Sequence, residues 1–249
     1  MKHEPYIGVS GIMTRDEVLA ALDGFPDCGR KLMVGVLVSA KTLRGEANRY
    51  PRRYPLPEDI SGIFVDDPRC LNLVHFASDE PPAMMTLLRL FEAGGPLCQG
   101  VQFNVTWPHP GDLLALRTAY YAIGREPRLV LQAKPKPGDG SAWRPIAERY
   151  GGVVTDVLLD GSGGRGEALK PWSAAVVVEE LGAAWGNIGI GVAGGFCAEA
   201  LPGVAKLLHD VSVDAEGRLR DDTPDGGNLD LSKVRAYLQT AGALLRRAP

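Results

Sequence analysis

Cysteine is scarce in this chain and follows no pattern: Cys28, Cys70, Cys98 and Cys197 stand far apart and form no CxxC pair. That spacing argues against a disulfide framework and a zinc ribbon, and leaves free thiols in a reducing compartment as the expectation. Histidine is equally thin, with His3, His75, His109 and His209 scattered singly, so no metal-ligand set is expected. No run approaches the roughly 18 apolar residues of a membrane span. The opening MKHEPYIGVSG also lacks the apolar segment of a secretory leader. An excess of basic charge is missing too, since 27 Lys and Arg against 30 Asp and Glu leave a net charge of −3. Nothing in that balance calls for nucleic acid as a general partner. The sequence therefore reads as a cytoplasmic protein, monomer or homodimer, with no metal, cofactor, nucleic-acid or membrane partner.

What the 249 residues do contain is a repeat of apolar runs and amphipathic segments, in a composition 45% apolar and 23% charged. Strands are predicted at Tyr6 to Ser10, Leu32 to Val38, Leu71 to Phe76, Gly100 to Val105, Arg128 to Ala133, Val153 to Asp160, Asn187 to Ala193 and Val211 to Asp214. Helical patterns follow them. Thr14-Arg15-Asp16-Glu17 has the form of a capping box ahead of Val18, Leu19, Leu22 and Phe25. Pro81 to Ala93, Pro110 onward, Ala142 to Tyr150, Trp172 to Leu181, the stretch through Leu208 and Leu229 to Leu245 complete the series, the last with a core face of Leu231, Val234, Leu238 and Leu245. Eight strand-helix units over this length predict an α/β fold, a single (β/α)8 TIM barrel spanning residues 1–249. A doubly wound open sheet competes, but no GxGxxG follows the first strand.

In such a barrel the residues just past each strand converge on one rim, where chemistry is done. They are Ser10, Ser39 and Lys41, Ser78, Asn104, Lys134 and Lys136, Asp160, Gly194 and Gly195, and Asp214 to Gly217. The stretch Val153 to Gly166 carries the clearest signal. An apolar run breaks off at Asp160, and a loop with Gly161, Gly163, Gly164 and Gly166 follows. The Gly194-Gly195 pair and the Glu216-Gly217 turn fall where these barrels hold phosphate. Glu216 is an awkward neighbour for a dianion unless it points away. The basic segment from Lys41 to Pro57 has prolines at 51, 55 and 57 and is read as a long loop, either solvated or anion-binding.

These motifs, in this order, resemble phosphoribosylanthranilate isomerase. Gly8-Val9-Ser10-Gly11-Ile12-Met13 is similar to that family's opening K-[IV]-C-G-[IL]-[TK], and Pro51-Arg52-Arg53-Tyr54 with Pro57-Glu58 to its S-x-R-Y-[VI]-x-P-E. Val101-Gln102-Phe103-Asn104 resembles V-Q-L-H, and Leu158-Leu159-Asp160 with Gly163-Gly164-Arg165-Gly166 resembles L-L-D-S followed by G-G-T-G. Val192-Ala193-Gly194-Gly195-Phe196 is similar to L-A-G-G-L, and Gly227 to Lys233 to P-G-x-K-D. The resemblance implies an Amadori-type isomerase of a phosphorylated ribose adduct, with Asp160 as general acid. Ser10 takes the place of the base cysteine, and Asn104 that of the motif's histidine. It further implies substrate contacts from Arg53, Gln102 and Asn104, and phosphate contacts from Gly163, Gly164, Gly166, Gly194, Gly195 and Gly217. A serine hydroxyl lacks the accessible anion of a thiolate and needs a neighbouring base. Two other readings stay open: a Schiff-base lyase or aldolase using Lys134 or Lys136, and a phosphate-ligand-binding barrel without activity.

Overall fold

A computed structural model describes residues 4–134, 142–161, 171–221, 223 and 227–247. Eight parallel strands close into a barrel in chain order: β1 (Tyr6–Ser10), β2 (Lys31–Ser39), β3 (Cys70–Ser78), β4 (Gly100–Val105), β5 (Arg128–Ala133), β6 (Asp156–Asp160), β7 (Gly189–Ala193) and β8 (Ser212–Ala215). The sequence-based (β/α)8 expectation is met, and β8 pairs back onto β1 through Ile7 and Val213.

The helices are α1 (Arg15–Gly24), α2 (Ala40–Leu43), α3 (Ile60–Ile63), α4 (Met84–Gly94), α5 (Pro110–Ala122), α6 (Trp143–Tyr150), α7 (Pro171–Ala184) and α8 (Leu231–Leu244). Several details depart from the pattern reading. Thr14 forms the anticipated capping box with Glu17, but Leu19 is 47% exposed and Ala21 takes its place on the buried face. Helix α4 starts at Met84, after an extended Ala83 and two prolines that are not helical. The segment 41–57 is not wholly loop, for it holds the end of α2 and a 3-10 turn at Pro51–Arg53. Between β7 and β8 there is no α-helix. Pro202 and Gly203 restrict that stretch to 3-10 turns at Leu201–Gly203 and Ala205–Leu207. In α8, Leu231 is exposed rather than core, while Val234, Leu238 and the following Leu245 are buried.

Strand alternation builds two cores. Outward residues pack beneath the helices. Inward residues Tyr6, Met33, Leu71, Leu73, Val130 and Leu158 fill the barrel. Below them, Arg128 donates to Asp156 Oδ1 at 2.7 Å in a buried ion pair. Above them the inward positions turn polar. Arg30, 5% exposed, is satisfied by backbone carbonyls alone: its guanidinium donates to Leu245 O and Val211 O, both at 2.7 Å, and to Leu208 O and His209 O. No described helix is long and apolar enough to cross a membrane.

Candidate active site

The polar layer sits at the carboxyl ends of the strands, where strand polarity and inward alternation bring distant residues together. Ser10 ends β1, and its Oγ lies 2.8 Å from Asp214 Oδ1 and 2.9 Å from Oδ2, donating between the two oxygens. The same hydroxyl is 3.2 Å from His75 Nδ1. His75 Nδ1 is in turn 3.3 Å from Gln102 Nε2, which donates to Asn104 Oδ1 at 3.0 Å and to Gln132 Oε1 at 3.3 Å. Gln132 Nε2 then donates to Asp160 Oδ2 at 2.8 Å. A chain of polar contacts thus runs from β8 through β1, β3, β4 and β5 to β6, with a carboxyl group at each end. His75, Gln132 and the pairing of Asp214 with Ser10 went unnoticed in the sequence. The available signal was a polar residue interrupting an otherwise apolar strand, as in LNLVHF, RLVLQA and VSVD.

Room for this layer comes from an inward glycine on β2. A Cβ on Gly35 would lie 2.7 Å from Ser10 Oγ and 2.8 Å from His75 Cε1, closer than van der Waals contact permits.

Burial sets the electrostatics. His75 is 1% exposed, and desolvation lowers its imidazole to about 3, so the ring is neutral and offers no compensating charge. Asp214 is pushed up to about 7, first by burial and then by the charges of Glu216 and Asp160, against the opposing hydrogen bond from Ser10. A carboxyl group of that acidity changes protonation state in the neutral range.

Ser10, His75, Gln102, Asn104, Gln132, Asp160 and Asp214 line one cavity of about 80 Å³ with Gly194, Gly195 and Gly217. Gly194 (φ 142°) and Gly195 (φ 63°) hold conformations that favour glycine. Glu216 also lines this cavity, and its charge is met by arginines, with Oε1 3.3 Å from Arg53 and 3.2 Å from Arg220. That places Arg53 beside the residue that follows β8. Gly163, Gly164, Gly166 and Lys136 lie outside the described residues. Lys134 borders a separate pocket and not this cavity. Two larger clefts, of about 660 and 520 Å³, open on the opposite face of the barrel. Size does not mark the site: of these three, the smaller cavity is the one on which Asp160 and Asp214 converge.

No protein-family model and no curated protein matches the chain. Solved structures do. N-(5'-phosphoribosyl)anthranilate isomerase from Pyrococcus furiosus aligns at TM-score 0.67 and 17% identity, over 96% of this chain and 98% of that one. Phosphoribosyl anthranilate isomerase from Thermotoga maritima aligns at 0.66 and 15%, over 96% and 99%. Orotidine 5'-monophosphate decarboxylase from Methanocaldococcus jannaschii aligns at 0.53 and 11%, over 98% and 100%. At these identities the likeness is one of fold.

Proposed function

We propose that the chain is an isomerase of a phosphorylated ribose adduct, converting an aminoaldose to an aminoketose by acid-base catalysis; its likeness in fold to phosphoribosylanthranilate isomerases supports this reading. The observation that carries this reading is the placement of Ser10 on the Asp214 carboxylate with Asp160 on the other side of the same cavity. In this mechanism Asp160 gives a proton to the furanose ring oxygen as the C1–O bond breaks, leaving a protonated Schiff base at C1. The proton at C2 is then removed, its electron pair forming the enolamine, which tautomerises to the ketose. The rearrangement is intramolecular and needs no co-reactant.

The serine at the cysteine's place has its base beside it. Asp214, titrating near neutrality, accepts the Ser10 proton while Ser10 Oγ receives the proton from C2. His75, held neutral, orients the hydroxyl without lowering the basicity of Asp214. The Gly194, Gly195 and Gly217 turns offer backbone N–H groups to the phosphate on the opposite side of the sugar from Gln102 and Asn104.

The test is turnover of phosphoribosylanthranilate by purified protein, followed through the loss of its fluorescence. Activity that falls at least 100-fold in Asp160→Asn supports the reading. Full activity in that variant would remove Asp160 from the mechanism, and no turnover by the unmodified protein would favour the inactive phosphate-ligand barrel.

A further inference from the structure

The cleft of about 520 Å³ lies on the face opposite the site, where the amino ends of β2, β3 and β5 meet the loop that leads into β4. Small-ligand sites usually occupy about 300–1,000 Å³. Val65, Leu71 and Leu97 give this one an apolar wall. A barrel end that served stability alone would have its buried polar groups paired. Two residues of the lining depart from that rule. Asn72 and Arg128, 3% and 7% exposed, each keep one buried polar atom, Oδ1 and Nε respectively, without a hydrogen-bond partner.

The polar groups of the cleft fall into two ends. Gln99 Oε1 accepts from Asn72 N at 2.8 Å, which pins the amide and leaves Nε2 without an acceptor among the described residues. Arg125 Nη1 donates to Cys98 O at 3.4 Å, so a cation stands beside that amide. At the other end, Asn72 Nδ2 donates to Val65 O at 2.9 Å, which brings its side chain next to Asp66. Several charges of the cleft are already engaged: Asp67 with Arg69 at 2.8 Å, Glu126 with Arg117 at 3.6 Å and Arg128 with Asp156 at 2.7 Å. Glu4, Lys31, Asp66 and Arg125 also line it and have no ion partner among the described residues. Acids and cations are thus left in equal number, which suits a ligand that carries both signs and no net charge.

We infer that this cleft binds an α-amino acid with an aliphatic side chain. The carboxylate meets Arg125 and Gln99 Nε2, the ammonium meets Asp66 with Asn72 Oδ1 beside it, and the side chain lies against Val65 and Leu97. The inference is independent of the reaction proposed at the other rim, because no residue of the cleft borders that cavity.

The experiment titrates the intact protein with L-leucine, following the side-chain amide signals of Asn72 and Gln99 by ¹H–¹⁵N NMR. Two matched probes each lack one end: 4-methylpentanoate has no ammonium, and 3-methylbutylamine has no carboxylate. The expected result is a saturable shift with L-leucine and binding at least about tenfold weaker for either probe. Arg125→Met should weaken L-leucine by at least about tenfold and leave 3-methylbutylamine unaffected. Asp66→Asn should weaken L-leucine to a similar degree and leave 4-methylpentanoate unaffected. Asp66 is exposed and Arg125 half-buried, and the comparison of probes on the unmodified protein does not depend on either variant. Absence of a saturable shift with L-leucine, a probe that binds as tightly as L-leucine, or L-leucine affinity unchanged in either variant overturns the inference.

Discussion

At the scale of the residue, Asp214 is the group on which the proposed reaction and the stability of the site meet. Its folded acidity lies above the ordinary value of 3.8, at about 7. Ionising it is therefore harder in the folded chain than in the unfolded one. This cost is absent below about pH 4, grows as pH rises toward 7 and is complete above it. Asp214→Asn removes the cost, so the variant should melt near the unmodified protein at pH 4 and above it at pH 8, a difference that differential scanning calorimetry reads directly. The same substitution should lower kcat about 100-fold and erase the ascending limb of kcat/KM near pH 7. Ser10→Ala, which removes the relay but keeps the carboxyl group, should lose less, about tenfold. An Asp214→Asn profile that keeps its limb near pH 7 would assign the titration to another group.

At the scale of the element, the strands position the site by alternation, and one missing side chain makes the arrangement possible. Gly35→Ala places a methyl group against Ser10 Oγ and His75 Cε1, so one of them must move. Activity should fall more than tenfold while the melting temperature drops by only a few degrees, since the clash is with side chains and not with backbone. Retained activity would mean that the Ser10–His75 contact is dispensable. Here the limits of sequence reading become physical. The strands were legible because buried parallel strands are apolar throughout, and Ser10 and Asp160 because each ends such a run. His75 and Gln132 were not, because their partnership depends on barrel register, in which Leu37 lies beside His75 and Gln132 beside Leu158. The stretch after β7 misled for a different reason: its apolar residues suited a helix, but Pro202 and Gly203 hold it to short turns.

At the scale of the whole molecule, the barrel separates its duties by height. The ion pair of Arg128 and Asp156 closes the lower end, an apolar layer fills the middle, and the polar chain from Asp214 to Asp160 occupies the upper rim. Arg30 ties the start of β2 to the segment before β8 and to the end of α8. Hydrogen bonds to a charged group contribute about 1.5–3 kcal/mol each, so Arg30→Met should destabilise the fold by at least about 2 kcal/mol in urea denaturation. Arg30→Lys should recover little of it, because an ammonium cannot fork among carbonyls as a guanidinium does. Recovery by lysine would show that charge alone matters there.

The acceptors of Arg30 have a further consequence, which concerns time. This side chain appears early in synthesis, yet the carbonyls that satisfy it belong to residues 208, 209, 211 and 245. A nascent chain stalled before residue 245 has left the ribosome carries a cation whose final acceptor does not yet exist. The tie between the end of α8 and the start of β2 is thus expected to form only after translation has passed that point.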